Sequence, residues 1–211
     1  MLCTNNRWMM APHLRLLTER LMDIATGKTQ RLIVSMPPGH GKSTLVSHYG
    51  IVWMLGRFPE LSVLLTSYEA NFAAGWGRQC RDTLAMYGPQ VFGVQPDPRV
   101  SRADWWQVQG TKGKMLTAGS GGAITGKRFD VCVCDDLVRN SADAMSPTLR
   151  NKQFDWFAST LYTRLEPGGR VIIVMTRWHE DDIAGRLIAE ARDGGEPWEI
   201  INLPALAGDD D

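Results

Sequence analysis

Residue types that together bind phosphate stand side by side in the segment Gly39-His-Gly-Lys-Ser43. The apolar run Leu32–Val34 precedes this segment and predicts a buried strand, and a helical pattern begins at Lys42. A glycine turn between a strand and a helix that opens on Gly-Lys-Ser is typical of a phosphate-binding loop. The helix N-terminus, which carries about half a positive elementary charge, and its free backbone N–H groups would face the anion.

Two side chains of this loop have distinct expected roles. Lys42 would reach the β- and γ-phosphates of a nucleotide, and the Ser43 hydroxyl would be a ligand of Mg²⁺. The consensus places a glycine five residues before Gly41, where this sequence has Met36. An ordinary turn between a strand and a helix is the alternative, but all three parts fall where phosphate binding needs them. The candidate nucleotide-binding residues of the loop are Pro38, Gly39, His40, Gly41, Lys42, Ser43 and Thr44.

A second candidate cluster is the acid pair Asp135-Asp136, which closes the apolar run Phe129–Cys134. Asp135 is placed to hold Mg²⁺ opposite Ser43, directly or through water. Asp136 would point toward the γ-phosphate, where a carboxylate can orient or deprotonate the attacking water. Two acids at the end of a strand also occur in solvated turns, so this assignment depends on the upstream phosphate loop.

Phosphoryl transfer also requires a cation that stabilises the transition state. The candidates are Arg78, Arg81, Arg164 and Arg177. For each of them a surface salt bridge is the alternative interpretation. Arg177 has the best position, because it follows the most apolar strand of the sequence.

These residues need a scaffold, and the apolar pattern predicts one. Strands are expected at residues 32–34, 61–66, 105–108, 114–117, 129–136, 171–175 and 198–203, and helices at 12–26, 69–87, 147–165 and from Asp181 onward. Residues 89–101 are rich in Gly and Pro and are expected to be irregular. Alternating strands and helices predict an α/β fold with a mainly parallel sheet covered on both faces. Ligands of such sheets bind at the carboxyl ends of the strands, where the loop, the acid pair and Thr176-Arg177 all fall.

Composition limits the other classes of function. The 211 residues carry 23 Lys and Arg against 23 Asp and Glu, so no overall basic charge indicates nucleic acid. A local basic cluster could contact phosphates, with a solvated face as the alternative; it consists of Lys112, Lys114, Lys127 and Arg128. Four cysteines without disulfide spacing favour a reducing compartment, and Cys132 and Cys134 are expected in the core. No membrane span or signal peptide is visible. We expect non-catalytic roles for His13 and His179. Trp105, Trp106 and Trp156 are expected at core or interface positions.

With these motifs in view, the chain resembles the ATPase domain of the terminase large subunits of tailed bacteriophages. The resemblance runs from about Pro12 to Ala207. It is carried by a series of motifs in order: Pro12-His13, Met36-Pro-Pro-Gly-His-Gly-Lys-Ser43, Thr66-Ser-Tyr68, Gly121-Gly-Ala-Ile-Thr-Gly126, Val133-Cys-Asp-Asp136, Asp155-Trp-Phe157, Thr163-Arg-Leu-Glu-Pro-Gly-Gly169, Val174-Met-Thr-Arg-Trp-His-Glu-Asp-Asp182 and Leu203-Pro-Ala205. Each motif alone is weakly specific, but nine in this order are highly specific.

The resemblance implies a RecA-like (ASCE) P-loop NTPase that hydrolyses ATP with Mg²⁺ and moves double-stranded DNA into a procapsid in the host cytoplasm. It implies a homo-oligomeric ring on a portal and a terminase small subunit as partner. Lys42 and Ser43 would belong to Walker A, Asp135-Asp136 to Walker B, and Thr176-Arg177 to the coupling motif, and His13 would lie near the adenine. His40 stands where many relatives have an arginine, which favours an arginine finger from a neighbouring subunit.

The expected domain organisation is one ATPase domain at residues 1–207, with an N-terminal helix and adenine-side segment at 1–27 and a core at 28–207. Residues 208–211 are expected to be an acidic tail or the start of a linker. Relatives continue into a nuclease domain, so we expect no nuclease activity from these 211 residues. Two alternatives stay open: a helicase or recombinase core on the same fold, and an assembly module that binds ATP but seldom hydrolyses it.

Overall fold

The computed structural model describes residues 9–124 and 126–204. Predictions made for Cys3, for Thr125 of the glycine-rich loop and for residues 205–211 lie outside the described residues. Within the described ranges the helices are α1 (Pro12–Thr26), α2 (Ile51–Arg57), α3 (Ala70–Val91), α4 (Ser141–Met145), α5 (Pro147–Trp156) and α6 (Ile183–Arg192). A π-helical segment, Thr44–Gly50, leads directly into α2, and a second one, Phe157–Leu161, continues α5.

The strands form a single mixed sheet with the order β3-β4-β5-β2-β6-β7-β1-β8. They are β1 (Arg31–Ser35), β2 (Ser62–Ser67), β3 (Pro96–Ser101), β4 (Trp105–Val108), β5 (Lys114–Gly119), β6 (Phe129–Asp135), β7 (Leu165–Met175) and β8 (Glu199–Asn202). In the order of the sheet all neighbours from β5 to β8 pair in parallel, whereas β4 is antiparallel to both of its neighbours, β3 and β5. The predicted α/β class and mainly parallel sheet are confirmed.

Alternating side chains of the central strands bury two apolar layers, one on each face of the sheet. On the first face, Leu32 and Val34 of β1 pack in a cluster with residues of α1, α2 and α3. On the second face, Ile33 packs in a cluster with residues of α5, the Phe157–Leu161 segment and α6. Cys132 and Cys134 are fully buried in this second layer, as expected for small core residues. No helix of the described residues is long and apolar enough to cross a membrane.

The prediction that residues 89–101 are irregular is wrong at both ends. Helix α3 continues past Pro89 to Val91, because a proline near the end of a helix removes only one of the last hydrogen bonds. Residues Pro96–Ser101 form β3, an edge strand paired with β4. Prolines are tolerated there because an edge strand has backbone N–H groups that need no partner in the sheet.

Candidate functional site

The phosphate-loop segment turns as a nucleotide-binding loop does, although its first consensus glycine is absent. Gly39 and Gly41 adopt φ values of 80° and 81°, which residues with a side chain rarely adopt. Met36 is 3% exposed and belongs to the first apolar layer, and its N–H donates a hydrogen bond to the Met175 carbonyl at 3.1 Å. Met36 is therefore part of the core at the end of β1, and the two later glycines make the turn.

Lys42 and Asp136, which are far apart in the sequence, form an ion pair at the carboxyl edge of the sheet. The Lys42 side chain is only 9% exposed, and its Nζ lies 2.8 Å from Oδ2 of Asp136. The other oxygen of Asp136 accepts a hydrogen bond from the Thr176 backbone N–H at 2.9 Å. Asp136 has a φ of 44°, an uncommon conformation that turns the chain sharply after β6. The second acid thus connects the phosphate loop to the end of β7.

Ser43 and Asp135 form the second contact between the loop and the acid pair. The Ser43 hydroxyl donates a hydrogen bond to Oδ1 of Asp135 at 2.9 Å, and the Asp135 side chain is fully buried. Oδ2 of Asp135 is buried and forms no hydrogen bond of normal geometry, although the Ser47 hydroxyl is close enough to lower the pKa of the carboxyl. A buried carboxylate oxygen without a partner is costly unless a cation or donor satisfies it, so these two residues fit a hard cation such as Mg²⁺.

The remaining ligands of such a cation would have to come from water and phosphate oxygens. Among the described residues, no group of three or more His, Cys, Asp and Glu side chains is arranged to hold a metal ion. This is the usual situation for Mg²⁺, which is commonly held by one or two protein groups together with substrate phosphates and water.

Burial, together with the charge of Asp136, raises the pKa of Asp135 from 3.8 to about 6. Because the folded state binds this proton more tightly than the unfolded state, stability from this group is greatest at low pH. It falls as the pH rises from about 4 to about 6. The difference corresponds to about 3 kcal/mol in the free energy of unfolding.

The Asp135→Asn variant tests this prediction in nucleotide-free protein with a chelator present. The free energy of unfolding is measured with denaturant across that pH range for both proteins. We expect the decrease due to Asp135 to be present in the native protein and absent in the variant. Parallel pH curves for the native protein and the variant would show that Asp135 is not held in the environment described.

Thr176 and Arg177 connect the site to helix α6. The Thr176 hydroxyl donates to the Met36 carbonyl at 3.3 Å, in addition to the backbone contact with Asp136. The Arg177 guanidinium pairs with Asp182, with 2.5 Å between Nε and Oδ2, and also donates to the Glu180 carbonyl. Asp182 is 2% exposed and caps α6 by accepting a hydrogen bond from the Gly185 N–H. Arg177 is therefore directed at the start of α6 and not at the acid pair.

The other candidate cations also lie away from the acid pair. Arg81 pairs with Asp82 and donates to the Ser101 carbonyl, and Arg78 is exposed on α3. Arg164 directly precedes β7, whose first residue, Leu165, pairs with Phe129 at the amino end of β6. The length of β6, about 20 Å, separates that end from Asp135. Within the described chain, none of the four predicted arginines bonds to the phosphate loop or the acids. Each of them could act as an arginine finger only after a conformational change, or by reaching into the site of a neighbouring subunit.

His13 lies next to the phosphate loop. Its Nε2 is 3.2 Å from the His40 carbonyl, and Nδ1 of His40 is 2.9 Å from the Pro38 carbonyl. Since a carbonyl oxygen only accepts hydrogen bonds, the proton is on Nε2 in His13 and on Nδ1 in His40. The predicted adenine-side position of His13 stays a prediction, as does contact of His40 with phosphate.

Sequence reasoning missed the contacts of two residues in the segments that follow β7 and β6. A helix was expected from Asp181 onward, but the pairing of Asp182 with Arg177 depends on the turn between β7 and α6. Arg139 comes three residues after Asp136, a spacing that could have drawn attention to it. It pairs with Asp143, with 3.3 Å between Nε and Oδ2, and lines a cleft of about 540 Å³ together with Leu137, the residue that follows the acid pair.

Comparison with known proteins identifies the relatives of this arrangement. The family model described as terminase large subunit, T4likevirus-type, N-terminal matches residues 33–211. Comparison with curated proteins finds no match.

Among solved structures, the large terminase of a thermophilic bacteriophage is similar at 12% identity, with a TM-score of 0.53, over 88% of this chain and 44% of that one. Its complexes with ATP-gamma-S and ADP also match at 12% identity, with TM-scores of 0.52, over 88% of this chain and 43% and 44% of theirs. This chain thus spans less than half the length of that terminase.

At 12% identity the structural likeness establishes the fold, which is the RecA-like fold of large terminases. The family match rests on the sequence itself and covers the phosphate loop, the acid pair and the Thr176-Arg177 segment. The chain belongs to the family of terminase large subunits, T4likevirus-type, as its N-terminal part.

Proposed function

We propose that this chain is the Mg²⁺-dependent ATPase domain of a motor that moves double-stranded viral DNA into a procapsid. The observation that carries the proposal is the meeting of Lys42 with Asp136 and of Ser43 with Asp135 at one edge of the sheet. The family membership and the nucleotide complexes of the thermophilic phage terminase support it. The proposed setting is the host cytoplasm, in a homo-oligomeric ring on a portal with a terminase small subunit.

The loop residues would bind the triphosphate as an anion at a helix N-terminus. The backbone N–H groups from Gly39 to Lys42 would face its oxygens, and Lys42 would exchange its bond to Asp136 for bonds to the β- and γ-phosphates. Ser43 and Asp135 would hold Mg²⁺, which when bound neutralises charge on the phosphate oxygens. The buried oxygen of Asp135 would then have the partner that it lacks in the nucleotide-free chain.

Asp136 would act on the attacking water once Lys42 has moved to the phosphates. Its freed carboxylate oxygen would accept a proton from the water as the water oxygen bonds to the γ-phosphorus and the bond to the bridging oxygen breaks. The products are ADP and inorganic phosphate. Its other oxygen would stay with the Thr176 N–H, which fixes the orientation of the carboxylate.

The coupling of hydrolysis to movement would start at Thr176. This residue contacts Asp136 and also Met36, which leads from β1 into the phosphate loop. The next residue, Arg177, is paired with Asp182 at the start of α6. A change in the position of Asp136 would therefore act directly on the strand end that is attached to α6. The transition-state cation is proposed to come from another subunit, because none of the four predicted arginines bonds to the site in the described chain.

The test is release of phosphate from ATP by the purified protein, with Mg²⁺ and with the metal removed by EDTA. We expect hydrolysis that stops with EDTA and returns when Mg²⁺ is added in excess. We expect the isolated chain to be slow, because the neighbouring subunits of a ring are missing. Protein that binds no nucleotide with Mg²⁺ present would contradict the proposed function. Unwinding of a tailed duplex would favour the helicase alternative over packaging.

A further inference from the structure

One face of the β4–β5 hairpin carries more positive than negative charge. Trp106, Val108 and Met115 are buried in the first apolar layer, so the residues that alternate with them lie on the opposite face. Those residues are Trp105 and Gln107 on β4 and Lys114 and Leu116 on β5, with Gln107 directly opposite Lys114 and Trp105 opposite Leu116. They are half-buried and lie near the β3 edge of the sheet, where Leu116 also packs against the second apolar layer.

Lys127 reaches this face from the segment that follows the glycine-rich loop. Its ammonium lies over the ring of Trp105. Trp105 and Lys114 lie on the same face, one strand pair apart, so the ammonium of Lys127 is held on the face that carries Lys114. Burial, together with the positive charges of Lys114 and Arg102, lowers the pKa of Lys127, and Asp104 has the opposite effect. Arg102 is paired with Asp104, but among the described residues neither Lys114 nor Lys127 forms an ion pair with an acid. Two positive charges are therefore held near each other without an acid of their own.

We propose that this hairpin face, defined by Lys114, Lys127 and Trp105, binds the phosphate backbone of duplex DNA; the inference rests on the proposed function. Like charges held close together favour a ligand with closely spaced negative charges, and a DNA duplex carries one charge per about 1.7 Å of its axis. Lys127 covers the Trp105 ring, so the ring positions a lysine instead of stacking on a base. The face thus contacts phosphates and reads no base sequence, as a motor that moves any DNA requires.

The hairpin face is also separate from the ATP site. Lys114 lies at the amino end of β5, whereas Asp135 lies at the carboxyl end of β6, two strands away across β2. Substitutions on the hairpin face should therefore leave nucleotide binding and hydrolysis intact. That separation allows the DNA contact and the ATPase to be tested independently in the same protein.

The experiment measures binding of a fluorescent duplex of about 30 base pairs between about 50 and 200 mM salt, by anisotropy. The double variant Lys114→Gln with Lys127→Gln is compared with the native protein and with Lys28→Gln. Lys28 is an exposed lysine between α1 and β1, and β1 lies four strand spacings, or about 19 Å, from the β5 strand that carries Lys114. Thermal unfolding and Mg²⁺-dependent ATP hydrolysis are measured on the same samples.

We expect the double variant to lose about tenfold or more in affinity for the duplex at low salt. A plot of the logarithm of the binding constant against the logarithm of the salt concentration should be less steep by about 1.8, or about 0.9 for each lysine. ATP hydrolysis and the melting temperature should stay native, and Lys28→Gln should bind DNA as the native protein does. An affinity and a salt dependence in the double variant equal to those of the native protein would overturn the proposal. An equal loss of affinity in Lys28→Gln would overturn it too. A native protein that hydrolyses ATP but binds no duplex would also overturn it, whereas absent hydrolysis would refute the proposed function instead.

Discussion

Replacing Lys42 with alanine is expected to lower ATP turnover by about a hundredfold or more. Lys42 is the cation that the structure holds at the start of the loop helix, nearly buried and within 2.8 Å of Asp136. The variant removes the charge that would bind the β- and γ-phosphates and leaves Asp136 Oδ2 without its partner. The lysine would bind the phosphates of the substrate and would interact more strongly with them as negative charge develops in the transition state. Its loss should therefore lower both nucleotide affinity and turnover. Phosphate release and equilibrium binding of a fluorescent ATP analogue measure the two effects.

Lys28→Ala is the matched control for Lys42→Ala. Its side chain is 73% exposed, and its pair with Asp23 is on the surface, so its loss should change neither stability nor turnover measurably. An unchanged ATPase rate in Lys42→Ala would mean that the loop does not bind the reacting phosphates.

Replacing Asp136 with asparagine should separate binding from turnover. Asparagine can still accept the hydrogen bond from the Thr176 N–H, but it cannot take a proton from water and cannot form an ion pair with Lys42. We expect turnover to fall by about a hundredfold or more, the usual effect of losing a general base. ATP should bind at least as tightly as before, because Lys42 is released and a negative charge near the triphosphate is gone.

Asp193→Asn serves as the control for this change, since Asp193 is exposed after the last turn of α6. Single-turnover hydrolysis and equilibrium binding of ATP distinguish the outcomes. Unaltered turnover in Asp136→Asn would show that Asp136 is not the general base of the reaction. Subunit association that depends on ATP, with no turnover in the native protein, would support the assembly-module alternative.

The sequence predicted the parts of this fold that depend on local pattern. The apolar runs that became β1, β2, β6 and β7 are too short and too rich in branched residues for buried helices, and each ends in polar or glycine residues. Helix α1 is visible in the helical spacing of Leu14, Leu17 and Leu21, which are buried, and in Gly27, which ends the helix in the left-handed conformation. The meeting of loop and acids followed from the rule that parallel strands place their carboxyl ends at one edge.

The parts that sequence could not predict depend on contacts between distant segments. Residues Pro96–Ser101 have the composition of a loop and are a strand only because β4 offers a partner. Arg177 was favoured as a catalytic cation from its place after β7, but its direction is set by Asp182 on the next helix. The ion pair of Lys42 with Asp136 depends on the backbone turn at Asp136, which no sequence pattern marks.

The most direct test of the central claim is a crystal structure of the protein with a non-hydrolysable ATP analogue and Mg²⁺. The account predicts a triphosphate held by the loop from Gly39 to Ser43, with Lys42 Nζ moved from Asp136 to the phosphate oxygens and the metal beside Ser43 and Asp135. A nucleotide bound elsewhere, or a bound nucleotide with Lys42 still paired to Asp136, would contradict it.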